Sequence, residues 1–301
     1  MDRLTQNGGY IRKGNSMQLQ TSKIIKGTET SNFPFVCQIK TRGGVCTGAL
    51  IHPSWVLTTA HCVRNLTDEA FLKDTRIEFA TSNLSIKPIL LAKLSDYSYT
   101  LQKQDIVMGS ECDVMLIQLE KEINDIKPIK IFVQDPKWFV DRYITYVGFG
   151  LGEQVENAEE AQQFLGKKRF ASAKVVKYEE PFLYVDKFSE QMIAQGDSGG
   201  PMLYIDAQGE YLIGLNVFGG SNIAASLTIN YVIPFIVSVL KYCGQTLDFL
   251  VADGVDISQI MKNLSKEEDT HTNKKGVWIG LGAVVILGLG VYMLSKPRVK
   301  T

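Results

Sequence analysis

Two short motifs, far apart along the chain, constrain the fold and the chemistry of this protein more than any other feature. Residues 195–201 read Gln-Gly-Asp-Ser-Gly-Gly-Pro, and residues 59–62 read Thr-Ala-His-Cys. A serine hydroxyl becomes a good nucleophile when a neighbouring base takes its proton, and the chain offers only His52, His61 and His271 as such a base. Glycines on both sides of the Asp-Ser pair allow a sharp turn with exposed amide groups, as an oxyanion site requires. The serine motif alone is compatible with an ordinary turn, but its pairing with Ala-His-Cys favours a catalytic site.

The composition is that of a globular chain and not of a nucleic-acid-binding one. Of 301 residues, 45% are hydrophobic and 21% are charged, and 32 Lys and Arg balance 32 Asp and Glu. A domain of about 220 residues with appendages fits this length, whereas nucleic-acid binding would require a basic excess. The five cysteines lack metal-site spacing such as Cys-x-x-Cys, so neither a metal nor another cofactor is predicted. Their odd number leaves at least one thiol free or paired with another chain.

A separate apolar segment lies near the C-terminus. Residues 276–294 carry no charged side chain, and a helix of this length spans about 28 Å, close to the thickness of a bilayer's hydrocarbon core. Trp278 and Tyr292 lie near its two ends, where aromatic rings favour the interface. Residues 276–295 are therefore predicted to form a single transmembrane helix, followed by a short basic tail at 296–301. A buried core helix is the alternative.

The opposite end of the chain offers no second membrane signal. Residues 1–23 are polar and contain no apolar run that could act as a secretory signal. A C-terminal anchor without such a signal indicates either tail anchoring or a sequence that lacks its original start.

Short strands are predicted between residue 24 and about residue 244. The runs are apolar or alternating, and Gly, Pro, Asn or Asp punctuate many of them, a pattern typical of an all-β barrel or sandwich. One helix is predicted near the end, with Pro234 in its first turn and Gly244 as its stop signal. The clearest strand runs are residues 35–39, 46–51, 55–57, 114–119, 143–147 and 211–215.

The composition changes after Gly244, and residues 245–275 are predicted to form a stalk or linker. Within it, apolar residues recur at the spacing of a short amphipathic helix, preceded by a capping pattern at Asp256. This helix either packs on the domain or the stalk, or binds a partner. Its apolar residues are Ile257, Ile260, Met261 and Leu264.

Residues 24–244 resemble the domain of chymotrypsin/trypsin-like serine proteases. Four motifs carry the resemblance in the order that the family has them: Ile-Ile-Lys-Gly at 24–27, Leu-Thr-Thr-Ala-His-Cys at 57–62, Asp-Val-Met-Leu-Ile at 113–117 and Gly-Asp-Ser-Gly-Gly-Pro at 196–201. The resemblance implies an all-β fold of two packed six-stranded antiparallel β-barrels with a C-terminal helix. The predicted transmembrane helix would be an addition to that fold.

The resemblance also implies a catalytic triad. Ser198 would attack the peptide carbonyl, His61 would accept the proton of its hydroxyl, and Asp113 would orient the imidazole. The backbone amides of Gly196 and Ser198 would bind the oxyanion. Asp105 is a rival for the aspartate, but it lacks the apolar strand that follows Asp113.

Activation by proteolysis follows from the same resemblance. Cleavage after Lys23 would free the α-amino group of Ile24, which in this family pairs with the acid beside the nucleophile, here Asp197. A buried carboxylate is costly without a partner, so this pairing would order the oxyanion loop. Residues 1–23 would then be an activation peptide, with an unrelated leader as the alternative. Lys26 departs from the glycine usual in the family.

The cysteines can be assigned only in part. By resemblance, Cys46 and Cys62 form the disulfide beside the histidine, which indicates an oxidising compartment. Together with the anchor, this predicts a single-pass membrane protein whose protease domain is extracytoplasmic. Ala194 replaces the cysteine common in the serine loop of the family. The sequence does not pair the remaining three, Cys37, Cys112 and Cys243.

Specificity is predicted from residues that match the family's primary pocket. Met192 would form its floor, in place of the aspartate of trypsin-type members, and Val217, Phe218, Gly219 and Ala225 would form its wall. An apolar floor cannot neutralise a basic side chain, so an apolar or small residue is expected before the scissile bond. If the loop register differs, Met192 is a core residue instead. Val217 also replaces a serine that usually hydrogen-bonds the catalytic aspartate.

Two functions remain open at this stage. The first is an endopeptidase on a membrane, which hydrolyses protein or peptide substrates after an activating protease has cleaved it. The second is a protease-like binding module with weak or no activity. The intact triad and oxyanion positions favour the enzyme, whereas the departures at Lys26, Ala194 and Val217 favour the binding module.

Overall fold

The structure is a computed structural model, and it describes most of the predicted domain. The described residues are 27–42, 44–63, 66–80, 82–94, 113–150, 166–186, 193, 196–219, 224–248, 250–251, 256–259 and 262. The predicted leader at 1–23 and the predicted transmembrane helix at 276–295 lie outside them.

The described residues form two mainly antiparallel sheets with few helices, which confirms the all-β prediction. The strands are β1 (Thr28–Glu29), β2 (Val36–Thr41), β3 (Gly44–His52), β4 (Trp55–Thr58), β5 (Arg76–Phe79), β6 (Leu84–Ile86), β7 (Pro88–Lys93), β8 (Met115–Leu119), β9 (Lys130–Ile131), β10 (Tyr143–Gly148), β11 (Arg169–Glu179), β12 (Phe182–Val185), β13 (Pro201–Asp206), β14 (Gly209–Gly219) and β15 (Ala224–Thr228). The helices are α1 (Asp68–Asp74), α2 (Ile229–Tyr242) and two 3-10 helices, Ala60–Val63 and Pro136–Phe139.

The second sheet closes into a six-stranded barrel. Its order is β11-β10-β13-β14-β15-β12, and β12 pairs again with β11, while β1 and β9 add to its outside. The short strand β9 pairs in parallel with β14. Burial alternates along β11, as expected of a strand with one face toward a barrel interior. One of the two predicted six-stranded barrels is thus confirmed.

The first sheet differs from the prediction because its ladder is open. Its seven strands follow the order β6-β5-β2-β3-β4-β8-β7. The end strands β6 and β7 are separated in sequence only by Lys87, so the chain itself, without a ladder of hydrogen bonds, connects the two edges of this half-barrel.

One apolar core joins the two sheets, and a second fills the closed barrel. The first core combines residues of the half-barrel with outward-facing residues of the closed barrel, such as Val147 and Leu215. The second core contains inward-facing residues such as Ile144, Val175 and Met202. The loops that follow β4 and precede β8 and β13 therefore meet where the two halves pack together.

The C-terminal helix is longer than the sequence indicated. Helix α2 begins at Ile229, so Pro234 lies inside it and does not mark its first turn. The buried residues of its apolar face, among them Val232 and Ile236, pack against the core that joins the sheets. This packing outweighs the hydrogen bond that a proline removes from a helix interior. Gly244 follows the helix at φ +69°, as its predicted stop signal requires.

The chain continues along the domain beyond α2. Leu250 and Val251 are buried, Ile131 N–H donates to the Leu250 carbonyl at 2.7 Å, and Val251 forms a parallel bridge with Ile131. The Asp256 carboxylate accepts the Ser258 N–H at 2.8 Å in the short helical stretch 257–259, and Ile257 packs against the core. No helix in the described part of the chain is long and apolar enough to cross a membrane.

Candidate active site

The histidine and the aspartate are brought together by neighbouring strands. Strand β4 ends at Thr58 and leads into the 3-10 helix that carries His61, whereas β8 begins at Met115, two residues after Asp113. Thr58 pairs with Met115 in the antiparallel ladder. Because the end of one antiparallel strand lies beside the start of its partner, the two motifs meet at one edge of the half-barrel.

Two hydrogen bonds join His61 to Asp113. The imidazole Nδ1 lies 2.6 Å from Asp113 Oδ2, and the backbone N–H of His61 donates to Oδ1 at 2.8 Å. Asp113 is fully buried, and 11% of the His61 side chain is exposed. Both carboxylate oxygens thus hold the histidine, one through its ring and one through its backbone, so the ring orientation is fixed and Nε2 is left for another partner.

A disulfide fixes the other side of the histidine. Cys46 in β3 and Cys62 in the 3-10 helix are bonded, with their Cα atoms 6.1 Å apart, as the resemblance predicted. The hydroxyls of Thr58 and Thr59 also contact the Cys62 sulfur, at 3.6 and 3.1 Å. His61 therefore has little freedom to move relative to the half-barrel.

The serine lies in a tight turn that rests on the same half-barrel. The Ser198 carbonyl accepts the backbone N–H of Thr47 at 2.9 Å. Gly199 N–H donates to the Asn216 carbonyl at 2.8 Å and has φ +80°. A Cβ on Gly199 would come within 2.0 Å of Thr58 Oγ1, so only glycine allows this approach. Ser198 is thus carried against the residues that precede His61.

Thr47 is a site residue that the sequence analysis did not identify. Its fully buried hydroxyl donates to the Gly196 carbonyl at 2.7 Å and accepts the Phe149 N–H at 3.0 Å. One side chain of the half-barrel therefore holds both the oxyanion loop and the loop after β10. The only sequence signal is its position next to Cys46, because the partners of Thr47 are distant in sequence.

Asp197 is buried between two glycines that the sequence analysis also left out. Its Oδ1 accepts the Gly150 N–H at 2.8 Å, and Asp197 is fully buried. A Cβ on Gly148 or Gly150 would lie within 2.0 or 2.4 Å of its carboxylate oxygens. The pair of glycines flanking Phe149 is the feature of the sequence that could have revealed this contact.

Among the residues that the structure describes, the proposed oxyanion donors have no competing acceptor. Within the described residues, the N–H groups of Gly196 and Ser198 donate to no protein acceptor. No direct hydrogen bond joins Ser198 to His61 in that same set of residues. Such a bond is often long or misaligned without substrate and tightens in the Michaelis complex.

The structure describes some of the other predicted site residues. Val217 and Ala225 are buried, and Val217 lies at a register shift between β14 and β15. Phe218 and Gly219 are the last residues of β14. Four residues lie outside the described residues: Met192, Lys23, Ile24 and the rival Asp105.

The remaining thiols and the potential metal ligands suggest no further centre within the described residues. Burial raises the pKa of the Cys37 thiol far above its usual range, which keeps it protonated and inert. Cys243 is half-buried and free, and Cys112 lies outside the described residues. The ligand atoms of Cys46, His61 and Cys62 lie within 4.8 Å of one another, but both sulfurs are used by the disulfide.

Comparison with protein families identifies one match over the folded part of the chain. The family model described as trypsin matches residues 24–241. This range contains both sheets, the C-terminal helix up to Lys241 and every residue of the candidate site except Lys23.

Three relatives share low identity with the chain. Coagulation factor XII of Cavia porcellus is 25% identical over 198 residues, which are 59% of this chain and 32% of that protein. Serine protease SSP1 of Scolopendra subspinipes is 24% identical over 210 residues, 65% of this chain and 73% of the relative. Phenoloxidase-activating factor 1 of Holotrichia diomphalia is 26% identical over 246 residues, 68% of this chain and 65% of the relative. The chain thus spans about a third of the first of these proteins and about two thirds of the third.

Proposed function

The chain belongs to the trypsin family of serine endopeptidases, and from this premise we propose that it hydrolyses peptide bonds through His61, Asp113 and Ser198. One observation carries the proposal. A buried aspartate holds His61 through two hydrogen bonds, one of 2.6 Å to the imidazole Nδ1 and one of 2.8 Å from the backbone N–H, at the point where the turn that carries Ser198 packs on the same half-barrel. A binding module has no need of an imidazole held in this orientation.

The proposed reaction uses each group for one task. Ser198 Oγ attacks the substrate carbonyl carbon while His61 Nε2 accepts its proton, and Asp113 stabilises the resulting imidazolium. The N–H groups of Gly196 and Ser198 stabilise the oxyanion, where one donor typically contributes about 3 kcal/mol. His61 then gives the proton to the leaving amine, and water hydrolyses the acyl-enzyme by the same steps in reverse. No cofactor takes part.

We further propose that an activating protease cleaves after Lys23. The support is the environment of Asp197, whose fully buried carboxylate is closely surrounded by Gly148 and Gly150. Desolvation of a carboxylate is costly, and a cationic amine such as the new N-terminus of Ile24 would offset that cost. Because Asp197 belongs to the turn that carries the oxyanion donors, this pairing couples cleavage to the geometry of the site.

A variant of the full chain tests catalysis and activation together. Changing Leu19, Gln20, Thr21 and Ser22 to Asp allows enteropeptidase to cleave after Lys23. We expect a fluorophosphonate probe to label the protein only after cleavage, and the label to be absent in Ser198→Ala and in Asp197→Asn. Equal labelling before and after cleavage would contradict the activation step. A cleaved protein that takes no label would contradict the enzymatic proposal and favour the binding module.

Membrane attachment with an extracytoplasmic protease domain is the remaining part of the proposal. Its support is the uncharged segment 276–294 and the Cys46–Cys62 disulfide, which is typical of oxidising compartments. We expect the full chain to float with liposomes in a density gradient. The double variant Val285→Asp and Leu287→Asp should stay in the soluble fraction, whereas the control Thr272→Asp should float. Flotation of the double variant would exclude this anchor.

A further inference from the structure

The interior of the closed barrel is polar at the end that meets the serine turn. Elsewhere, buried apolar side chains such as Ile144 and Val175 fill it. At this end it contains Tyr146 of β10, Asn216 of β14 and Ser226 of β15, which are 3%, 0% and 0% exposed. Polar side chains in a barrel core are expected to have hydrogen-bond partners, so the partners of these three decide what the cluster can do.

Two donors of this polar cluster lack a partner. Ser226 Oγ donates to Asn216 Oδ1 at 3.0 Å, which leaves the amide Nδ2 of Asn216 buried without an acceptor. The Tyr146 hydroxyl faces Ser226 but completes no hydrogen bond. Burial raises the pKa of Tyr146, so its hydroxyl remains protonated and able to donate. Unsatisfied buried donors are destabilising, and two of them side by side point to a ligand that supplies an acceptor.

The polar cluster lies directly behind the nucleophile. The backbone of Asn216 accepts the Gly199 N–H at 2.8 Å and donates to the Gly200 carbonyl at 2.9 Å. A Cβ on Gly200 would approach Asn216 Nδ2 to 3.2 Å, so the amide lies beside the turn that carries Ser198. Ile193, which precedes this turn, packs into the same barrel interior. The polar cluster therefore packs, from inside the closed barrel, against the turn that carries Ser198.

We propose that this polar cluster is the specificity site of the protease and that it selects glutamine before the scissile bond. The inference rests on the proposed function. The carbonyl oxygen of the glutamine accepts hydrogen bonds from Asn216 and Tyr146, and its amide group donates to Ser226. A neutral carboxamide fits better than any other side chain of similar length, because it offers both an acceptor and donors.

Every other class of side chain before the scissile bond would bind to the polar cluster at a free-energy cost. An apolar side chain, which the sequence analysis expected, would bury the Asn216 and Tyr146 donors without partners. Lysine or arginine would bring a cation to groups that already donate. Glutamate would bring a carboxylate into a buried cluster that no cation contacts among the described residues.

Binding to an inactive variant tests the inference without turnover. The full chain with Ser198→Ala, cleaved after Lys23, is mixed with fluorescent peptides that differ only in the residue before the scissile bond. We expect the glutamine peptide to bind at least about tenfold tighter than the leucine, lysine or glutamate peptides. Equal or tighter binding of any of those three would overturn the proposal. Probe labelling of the cleaved wild-type protein separately tests the proposed function, so the two failures are distinguishable.

Two variants locate the preference within the polar cluster. Asn216→Leu keeps the side-chain size but removes the donor, and we expect the advantage of glutamine over leucine to fall about tenfold. Tyr146→Phe removes one hydroxyl, and we expect a fall of about threefold even if Asn216→Leu misfolds. Tyr204→Phe and Asn230→Leu, which lie outside the polar cluster, should leave the preference unchanged. An unchanged preference in Tyr146→Phe, with folding verified by circular dichroism, would contradict the assignment.

Discussion

The two halves of the molecule present their functional side chains in opposite ways. In the half-barrel, every polar atom of the His61–Asp113 contact except Nε2 is used, and a disulfide adds a covalent restraint. In the closed barrel, the amide nitrogen of Asn216 and the hydroxyl of Tyr146 are buried without hydrogen-bond partners. The two proposals follow this contrast. In the proposed mechanism the half-barrel orients the base, whereas the closed barrel, whose β13 follows Ser198, supplies the nucleophile and the donors that recognise the substrate.

The largest effect is expected when the His61–Asp113 contact of the half-barrel is disrupted. Asp113→Asn keeps the size of the side chain but presents the wrong hydrogen-bonding group to His61 Nδ1, and we expect kcat to fall about 10⁴-fold. The measurement is turnover of a peptide substrate by the cleaved protein. The exposed Asp125→Asn is the control and should retain full activity. A loss below tenfold for Asp113→Asn would mean that Asp113 does not orient the base.

Removal of the disulfide tests the covalent part of the same restraint. The double variant Cys46→Ala and Cys62→Ala opens a loop of 16 residues, and we expect the free energy of unfolding to fall by about 3 kcal/mol. Urea unfolding followed by circular dichroism measures the change. Cys243→Ala, which removes a free thiol, should change the stability by less than about 0.5 kcal/mol. Equal stabilities of the double variant and wild type would show that the bond restrains only the local position of His61.

The Thr47 hydroxyl connects the two halves, and its removal should loosen the oxyanion loop that the half-barrel supports. Thr47→Val removes the hydrogen bonds to the Gly196 carbonyl and from the Phe149 N–H. We expect about 2 kcal/mol of lost transition-state stabilisation, about thirtyfold in kcat, because the oxyanion loop loses its support. Thr47→Ser retains the hydroxyl and should keep most of the activity. Equal losses in both variants would indicate that the methyl packing matters and not the hydrogen bonds.

An effect of similar size, but visible only above pH 8, is expected from a buried lysine at the seam between the halves. Lys168 Nζ donates to the Phe33 carbonyl at 3.0 Å, and burial lowers the pKa of Lys168 from 10.5 to about 8. Between pH 8 and 10.5 the unfolded chain then binds more protons at this site than the folded one. The contribution of Lys168 to stability therefore becomes more favourable as the pH rises through this window, by about 2 kcal/mol.

Lys168→Met should remove this pH dependence. The measurement is the difference in unfolding free energy between wild type and variant at pH 8 and pH 10, which cancels the other titrating groups. Lys167→Met, an exposed neighbour paired with Glu29, is the matched control and should keep the wild-type slope. A wild-type slope in Lys168→Met would assign the pH dependence to another group.

The sequence revealed the site to the extent that short motifs carry it. His61, Asp113 and the Cys46–Cys62 bond followed from the family resemblance that these short motifs carry, and the structure contains the disulfide and places His61 within hydrogen-bonding distance of Asp113. Thr47, Gly150 and Asn216 did not, because their partners are set by strand pairing between distant segments. The start of α2 was placed at Pro234 because a proline usually favours the first turn, whereas tertiary packing holds this one inside the helix.

Asn216 forms its hydrogen bonds to the turn that carries Ser198 only through its backbone, which binds Gly199 and Gly200. Any residue supplies the same backbone groups, except that proline lacks the N–H. The side chain at this position can therefore be exchanged while the attacking hydroxyl keeps its place. A protease with this arrangement can change its substrate preference through single substitutions at this position. Protein engineers could retarget it by substituting residues of β14 alone.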